Sequence, residues 1–216
     1  MPHLTNQLDH QRLGAYREGS YTGVKRDGTL RAMGLARCWE DIQGNPAGIK
    51  RPASSSPTWR TYDFGLGGLS FAVLGFAVGD YADFIVQTKH SMPLESELRF
   101  HIHYTVPSDS ADDKFQFQVD AIAAGVDEDF AVPSDSPLTG EDTLDGDEAR
   151  RHSLLELGSI DGANTSVSSL YLCRLTRIAA TSDEYGSEIY VLFNDQHYLV
   201  DMLGSRTEYH KWTAKH

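Results

Sequence analysis

The chain has few cysteines and lacks the segments that mark export or membrane insertion. Among its 216 residues only Cys38 and Cys173 are cysteines, and neither stands in a CxxC or Cys/His pattern. Two isolated cysteines are typical of a reduced, intracellular setting. Polar residues interrupt the N-terminus early, and the longest apolar run, residues 66–78, is broken by glycines and too short to span a bilayer. We therefore expect a soluble protein that is made in the cytoplasm and does not enter a membrane.

Positive charge is scarce, which argues against nucleic-acid binding. The net charge is −12, and residues 107–148, with one lysine and thirteen acidic side chains, carry −12 by themselves. Residues 1–60 are only mildly basic, with nine Lys/Arg against five Asp/Glu. A nucleic-acid-binding protein needs a clustered basic face, so we do not expect nucleic acid as a partner. The acidic residues of segment 125–150, together with its prolines and glycines, predict a long exposed loop. Calcium binding by this loop stays an open alternative, although the spacing is not that of an EF-hand.

Helical periodicity is also missing, and strand patterns take its place. No amphipathic helix of ten or more residues is predicted anywhere in the chain. From residue 61 onward, β-branched and aromatic runs alternate with turn residues, which is typical of strands. The expected strands are 69–74, 83–88, 98–106, 114–121, 152–157, 169–178, 187–193 and 196–201. About eight short strands separated by turns predict an all-β fold, a jelly-roll-like antiparallel β-sandwich over residues 61–216.

Residues 1–60 have the composition of an extended N-terminal arm. Glycines recur there without helical or strand periodicity, and prolines follow, so the segment does not bury a core by itself. Its large apolar residues, among them Tyr16, Tyr21 and Trp39, are spaced like anchors for another surface. Two interpretations stay open, a disordered tail and an arm that orders against a partner. On the second interpretation Tyr16, Tyr21 and Trp39 are interaction residues.

The most informative strand is 98–106, with the sequence LRFHIHYTV. Successive strand residues point to opposite faces, so this alternation predicts a half-buried strand with apolar residues on one face. The other face carries Arg99, His101, His103 and Thr105. Two neighbouring imidazoles form either half of a metal site or part of a hydrogen-bonded polar surface.

The histidine pair is the feature of the sequence that most suggests an enzyme, because cupin enzymes bind a metal with a His-x-His strand. Cupin enzymes follow His-x-His with a Glu a few residues later, whereas here no Glu appears until Glu128. A third histidine is available at His152 or His197, and a trimer axis could bring three copies together. We expect a structural histidine cluster, with His101 and His103 as interaction residues and with no metal or cofactor. A metal-dependent jelly-roll enzyme stays an alternative. No Gly-x-Ser-x-Gly elbow or phosphate-binding loop is present, so no catalytic residue is expected.

A series of segments carries a family resemblance. The segments are 84–92, 95–104, 152–160, 173–177, 197–201 and 204–211. In this order they resemble a widespread family of tailed-phage virion proteins that lacks a settled name. The family pattern is a Gln-x-Pro-His strand, a His-x-His-aromatic strand, a His…Glu-x-Gly-x-Ile segment, a Cys-Arg strand and a final Gly-Ser-Arg-x-Glu-x-x-Lys motif. Thr88-Lys89 departs from it, since the family often has Met-Pro there.

The resemblance implies a function as well as a fold. It implies a β-sandwich subunit that forms a homotrimer, belongs to the tail or head accessory proteins and has no known chemistry. We therefore expect a non-enzymatic structural protein of the virion, assembled in the host cytoplasm. Its expected position is the tail, the collar or the capsid surface, where residues 1–60 attach it to other virion proteins. The alternative is a receptor- or glycan-binding fibre tip.

Overall fold

A computed structural model describes residues 10–17, 20–25, 29–44, 50–93, 96–162 and 167–203. Within these ranges the chain is almost entirely β-structure, with a single 3₁₀ turn at Gly34–Ala36. None of the described segments is a helix with the length and hydrophobicity of a membrane span. The strands are β1 (His10–Arg17), β2 (Ser20–Lys25), β3 (Leu30–Met33), β4 (Cys38–Gly44), β5 (Thr58–Asp63), β6 (Ser70–Phe76), β7 (Tyr81–Gln87), β8 (Leu98–Thr105), β9 (Ala111–Ala124), β10 (Leu138–Asp145), β11 (Ser153–Ile160), β12 (Leu170–Ile178) and β13 (Ile189–Val200).

Strands β4 to β13 form two antiparallel sheets with jelly-roll connectivity. One sheet has the order β10-β9-β12-β7. The other has six strands, in the order β11-β8-β13-β6-β5 with β4 also paired to β13. The chain passes repeatedly from one sheet to the other, which distinguishes a jelly roll from a simple meander. The predicted all-β, jelly-roll-like sandwich is therefore confirmed.

Side-chain alternation fills the space between the two sheets. In β8, Leu98, Phe100, Ile102 and Tyr104 are buried, as the sequence pattern predicts. Facing strands contribute further large apolar residues, and the Phe76 and Phe117 rings meet edge to face with their centroids 5.6 Å apart. Because the interior is occupied by this core, the histidines of β8 lie on the outer face of their sheet.

The expected arm boundary at residue 60 does not match the sheets. Strand β4 pairs with β13 along its whole length, from Cys38 opposite Val200 to Gly44 opposite Asn194. Strand β5 extends across residue 60 and pairs with β6. Part of segment 1–60 thus belongs to the sandwich, because the edge of β13 beyond β6 needs hydrogen-bond partners. Strands β1, β2 and β3 form a separate small sheet, which reaches the sandwich where Ala32 N–H donates to Asp201 O at 2.7 Å.

Two further expectations need correction. Segment 125–150 is not one loop, because it contains β10, which pairs with β9 and buries Leu138 and Leu144. The acidic composition of the segment obscures a strand in which Leu138, Gly140 and Leu144 are buried. Residues 187–201 are not two strands with a turn at Asn194-Asp195, because β13 runs through these residues without interruption. Pairing with β8 and β4 supplies the hydrogen bonds that a turn would otherwise make.

Candidate functional site

Four of the nine histidines gather on the outer face of the six-stranded sheet. His101 and His103 come from β8, Asp195 and His197 come from β13, and His152 lies just before β11. These five residues are called the histidine cluster below. Strand pairing explains the grouping, since Asp195 is directly opposite His101 and His197 is opposite Arg99. The outer-facing positions of two neighbouring strands are thus brought within contact distance.

Asp195 is the centre of the histidine cluster. His101 Nε2 contacts Asp195 Oδ1, and His103 Nε2 lies 3.2 Å from the same oxygen. The second oxygen, Oδ2, is 3.8 Å from His197 Nε2. His197 Nε2 is also 2.9 Å from Oδ1 of Asp41, a β4 residue. One carboxylate therefore faces three imidazoles.

The cluster continues from His103 to the edge of the sheet. His103 Nδ1 lies 2.5 Å from His152 Nε2, so one of these two nitrogens carries a proton and donates it to the other. The Phe193 ring stacks on His103 with a centroid separation of 4.0 Å and an interplanar angle of 12°. This packing fixes the orientation of the His103 ring.

Burial changes the electrostatics of the cluster. The His101 and Asp195 side chains are 0% and 3% exposed, whereas the His197 side chain is 36% exposed. Burial lowers the pKa of His103, because it disfavours the charged imidazolium, although the Asp195 charge opposes this effect. Burial alone raises the pKa of Asp195, but contact with His101 and the nearby charges of His101, His103 and His197 outweigh it, so the pKa is lowered. Asp195 is thus held as a buried carboxylate.

The predicted interaction residues do not form a single group. Trp39, in β4, lies on the same outer face as His101 and His103, and the Arg99 guanidinium carbon stands 4.5 Å from the centre of its ring. Tyr21 lies in β2 of the small sheet. The Tyr16 side chain and the 204–211 segment of the resemblance lie outside the described residues. Both candidate third histidines, His152 and His197, belong to the cluster.

Sequence reasoning missed Asp195, the residue that holds the cluster together. Its neighbours, Asn194 and Gln196, resemble a turn when read locally, and a turn aspartate faces solvent. The available signal is the alternation Phe193, Asp195, His197, which continues the period of two through the supposed turn.

The position of the cluster bears on the cupin comparison. In a cupin-like enzyme the metal ligands point into the barrel. Here they point away from the core, and Phe100 and Ile102 occupy the interior on either side of His101. The described residues therefore do not form an interior metal site at the His-x-His strand.

Three acidic residues outside the histidine cluster also lie close together, and their contacts stabilise a turn of the backbone. Asp145, Asp147 and Glu148 bring three carboxylates together at the end of β10. Glu148 is buried and accepts N–H groups of the same turn, including those of Gly146 at 3.1 Å and Asp147 at 3.2 Å. The Arg151 guanidinium pairs with Asp145 at 3.1 Å. Glu148 thus stabilises the turn, which accounts for its conformation without a cation.

Four large exposed apolar side chains lie on the β5–β6 hairpin. Trp59, Leu66, Leu69 and Phe71 are between 42% and 67% exposed, and the strand register puts Trp59 and Phe71 on opposite faces of the hairpin. These four side chains, which surround the hairpin, are called the hairpin patch below. Among the described residues β5 is the last strand of its sheet, so one edge of its backbone is unpaired there. An exposed apolar hairpin beside an unpaired strand edge is typical of a surface that another molecule covers.

The outer face of the four-stranded sheet carries a different surface. Ile85, Leu172 and Ile122 are paired across β7, β12 and β9 and line a groove of about 540 Å³. Beside them Arg174 forms a two-pronged salt bridge with Asp83, with N–O distances of 2.7 and 3.0 Å. This face is therefore mixed in character.

An aromatic group lies next to the hairpin patch. The Tyr62 ring is 4.8 Å from Phe64 and 5.0 Å from Tyr190, and Phe64 is 6.1 Å from Phe71, measured between centroids. All three contacts are edge to face. Tyr62 also donates a hydrogen bond to Val106 O at 2.8 Å, which fixes its ring.

Comparisons with known proteins give little guidance on function. No protein-family model and no curated protein matches the chain. Among solved structures, a similar chain is TmCBM61, determined in complex with beta-1,4-galactotriose. It is 11% identical, the alignment covers 76% of this chain and 88% of that chain, and the TM-score is 0.28. Similarity at this level says nothing about what this chain binds.

Proposed function

We propose that the protein is a non-enzymatic structural subunit of a tailed-phage virion, a homotrimer that acts through surface contacts. The observation that carries the proposal is the hairpin patch, with its four large apolar side chains on one exposed hairpin. A jelly roll serves capsid proteins, lectins and enzymes alike, so the fold does not choose among them. The proposal therefore rests on the exposed surface of the sandwich.

The hairpin patch suits contact with a second copy of the chain. Trp and Phe are enriched at protein interfaces, and charged residues are depleted at interface cores. The unpaired edge of β5 offers backbone groups beside these side chains. In a symmetric trimer each patch is covered once, which removes both the apolar exposure and the free strand edge.

Strands β1 to β3 suit the attachment role expected of the N-terminal arm. They form a small sheet of their own and contact the sandwich near Asp201, including the 3.6 Å pair between Arg31 and Asp201. We propose that this part of the chain binds a neighbouring virion protein. The resemblance supports this role, since it implies an accessory subunit on the tail, the collar or the capsid.

The trimer is tested by light scattering on Leu66→Ser/Phe71→Ser. Both residues are exposed, so we expect the variant to fold and to become a monomer, while the unchanged protein has the mass of a trimer. Ile85→Ser is the matched control, because Ile85 is exposed on the opposite sheet, and it should remain a trimer. A monomeric unchanged protein, or a trimeric double variant, would refute the proposed interface.

Virion attachment needs its own experiment. A phage that encodes the chain without residues 1–37 should assemble particles that lack this protein, while the shortened protein still folds and forms trimers. The deletion ends before β4, so the pairing of β4 with β13 is kept. Normal incorporation of the shortened protein would contradict attachment through this part of the chain.

Glycan binding is the second candidate, favoured by the aromatic group at Tyr62, Phe64, Phe71 and Tyr190. Aromatic rings present apolar faces on which sugars pack, and the Tyr62 hydroxyl is already anchored to Val106 O. The trimer should then bind a glycan array, and Phe64→Ala, which changes a ring outside the hairpin patch, should reduce binding. Binding that survives Phe64→Ala would place any glycan site elsewhere.

A further inference from the structure

We propose that His101, Asp195 and His197 bind one divalent transition-metal ion per chain, with Zn²⁺ as the preferred ion. This site is independent of the proposed virion role and of trimer formation, because all three ligands belong to one chain. It would be a structural site, joining β8 to β13 on the outer face of the sheet.

The first argument is the state of His101. Its side chain is fully buried, yet neither Nδ1 nor Nε2 has a hydrogen-bond partner within the part of the chain that the structure describes, although Nε2 contacts Asp195 Oδ1. Buried polar groups in native proteins are nearly always paired, so an unpaired imidazole requires an explanation. A metal ion on Nε2 satisfies that nitrogen and neutralises the buried Asp195 carboxylate next to it.

The second argument is the convergence of the donor atoms. One donor atom from each of His101, Asp195 and His197 lies within 4.8 Å of the other two. Ligands bound tetrahedrally to zinc at 2.0–2.1 Å stand roughly 3.3 Å apart. The 3.8 Å between His197 Nε2 and Asp195 Oδ2 is close to that value. His101 Nε2 and Asp195 Oδ1 are in closer contact than this, so these two atoms must move apart to admit an ion. His197 Nε2, which lies 2.9 Å from Asp41 Oδ1, must turn toward the ion as well.

The third argument is ligand chemistry, which selects the class of metal. Two imidazoles and one carboxylate suit zinc and its neighbours in the first transition row, whereas magnesium and calcium prefer oxygen ligands alone. His103 is the neighbour available for a fourth position, since its Nε2 lies 3.2 Å from Asp195 Oδ1. Its Nδ1 contact with His152 would then be the outer hydrogen bond that orients a ligating histidine.

The test uses the untagged full chain, stripped with a chelator and dialysed. Titration with Zn²⁺ by calorimetry should show one ion per chain, and Co²⁺ should give the visible absorption bands of a four-coordinate site. His197→Gln is the first variant, because His197 is partly exposed and the change should leave the fold intact. We expect its Zn²⁺ affinity to fall by more than the roughly 10- to 100-fold typical of losing an outer partner. His101→Gln should have the same effect.

His90→Gln is the matched control. His90 lies outside the cluster, where its Nε2 is 3.1 Å from Ser168 Oγ, so its replacement should change neither stoichiometry nor affinity. Circular dichroism of each variant separates loss of a ligand from loss of the fold. Failure of the unchanged protein to bind Zn²⁺ would overturn the proposal. A ratio of one ion per three chains would overturn it as well, since it would indicate a site on the trimer axis.

Discussion

Two arginines on the same strand should differ sharply in their effect on stability. Arg177 and Arg174 both lie in β12, but the Arg177 side chain is 1% exposed and the Arg174 side chain is 48% exposed. Arg177 donates to the carbonyl oxygens of Phe76 at 2.9 Å, Ser187 at 2.5 Å and Tyr185 at 2.6 Å. It therefore ties the end of β6 to the segment that precedes β13.

The cost of Arg177→Met follows from these contacts. Besides the three carbonyl oxygens, Arg177 pairs with Glu184 Oε1 at 2.6 Å, so four acceptors lose a charged donor. Removing one partner of a buried ionic network costs about 3–5 kcal/mol, because the remaining groups stay buried and unpaired. Arg174→Met should cost about 1 kcal/mol or less, since its salt bridge with Asp83 is exposed.

Urea unfolding followed by circular dichroism measures the free energy of unfolding of both variants. Thermal unfolding gives a second readout, because the melting temperature of a chain of this size shifts by about 2–4 °C per kcal/mol. Arg177→Met should therefore lower the melting temperature by roughly 6–20 °C. The control should shift it by about 4 °C or less. The reasoning fails if the two variants lie within about 1 kcal/mol of each other with equal m-values.

Further predictions concern two positions in the strands, the buried thiol of Cys173 and the close packing at Gly140. Burial raises the pKa of the Cys173 thiol to about 12 from its ordinary value of 9, so at pH 8 a disulfide reagent should modify only the exposed Cys38 at first. Between pH 9 and about 12 the unfolded thiol loses a proton that the folded one keeps, so stability should fall as pH rises through this window. Gly140→Ala would place a Cβ 2.1 Å from Glu156 O and should destabilise the fold by about 1–3 kcal/mol in urea unfolding. Gly186→Ala, with no atom within 4 Å of the added Cβ, should stay within about 0.5 kcal/mol, and equal costs for the two changes would contradict this account.

Local alternation made much of the sandwich predictable. The expected strand 98–106 corresponds to β8, where core-facing apolar residues occupy every second position. The expected strand 169–178 corresponds to β12, where buried and more exposed positions alternate. The sequence does not predict strand β10, because the acidic residues, prolines and glycines of segment 125–150 are typical of a loop. The sequence does not predict strand β4, because its pairing partner, β13, is far away in sequence and no local pattern indicates that the two strands pair.

The candidate site was predictable only in part, for the same reason. His101 and His103 are two residues apart, so a strand pattern places them together. Asp195 and His197 reach them only through the register between β8 and β13, which sequence periodicity does not specify. The histidines were therefore found as a pair, and the carboxylate between them was found only in the structure.

The pairing of β4 with β13 has a consequence for how the chain folds. During synthesis β4 emerges long before β13, yet Cys38 finds its partner only in Val200. Contacts between such distant residues form slowly, because a long loop must close before they stabilise anything. Throughout that delay β4 presents unpaired backbone groups, and neighbouring nascent chains compete for them. We expect subunits that are produced slowly, or with chaperones present, to give a higher yield of folded protein.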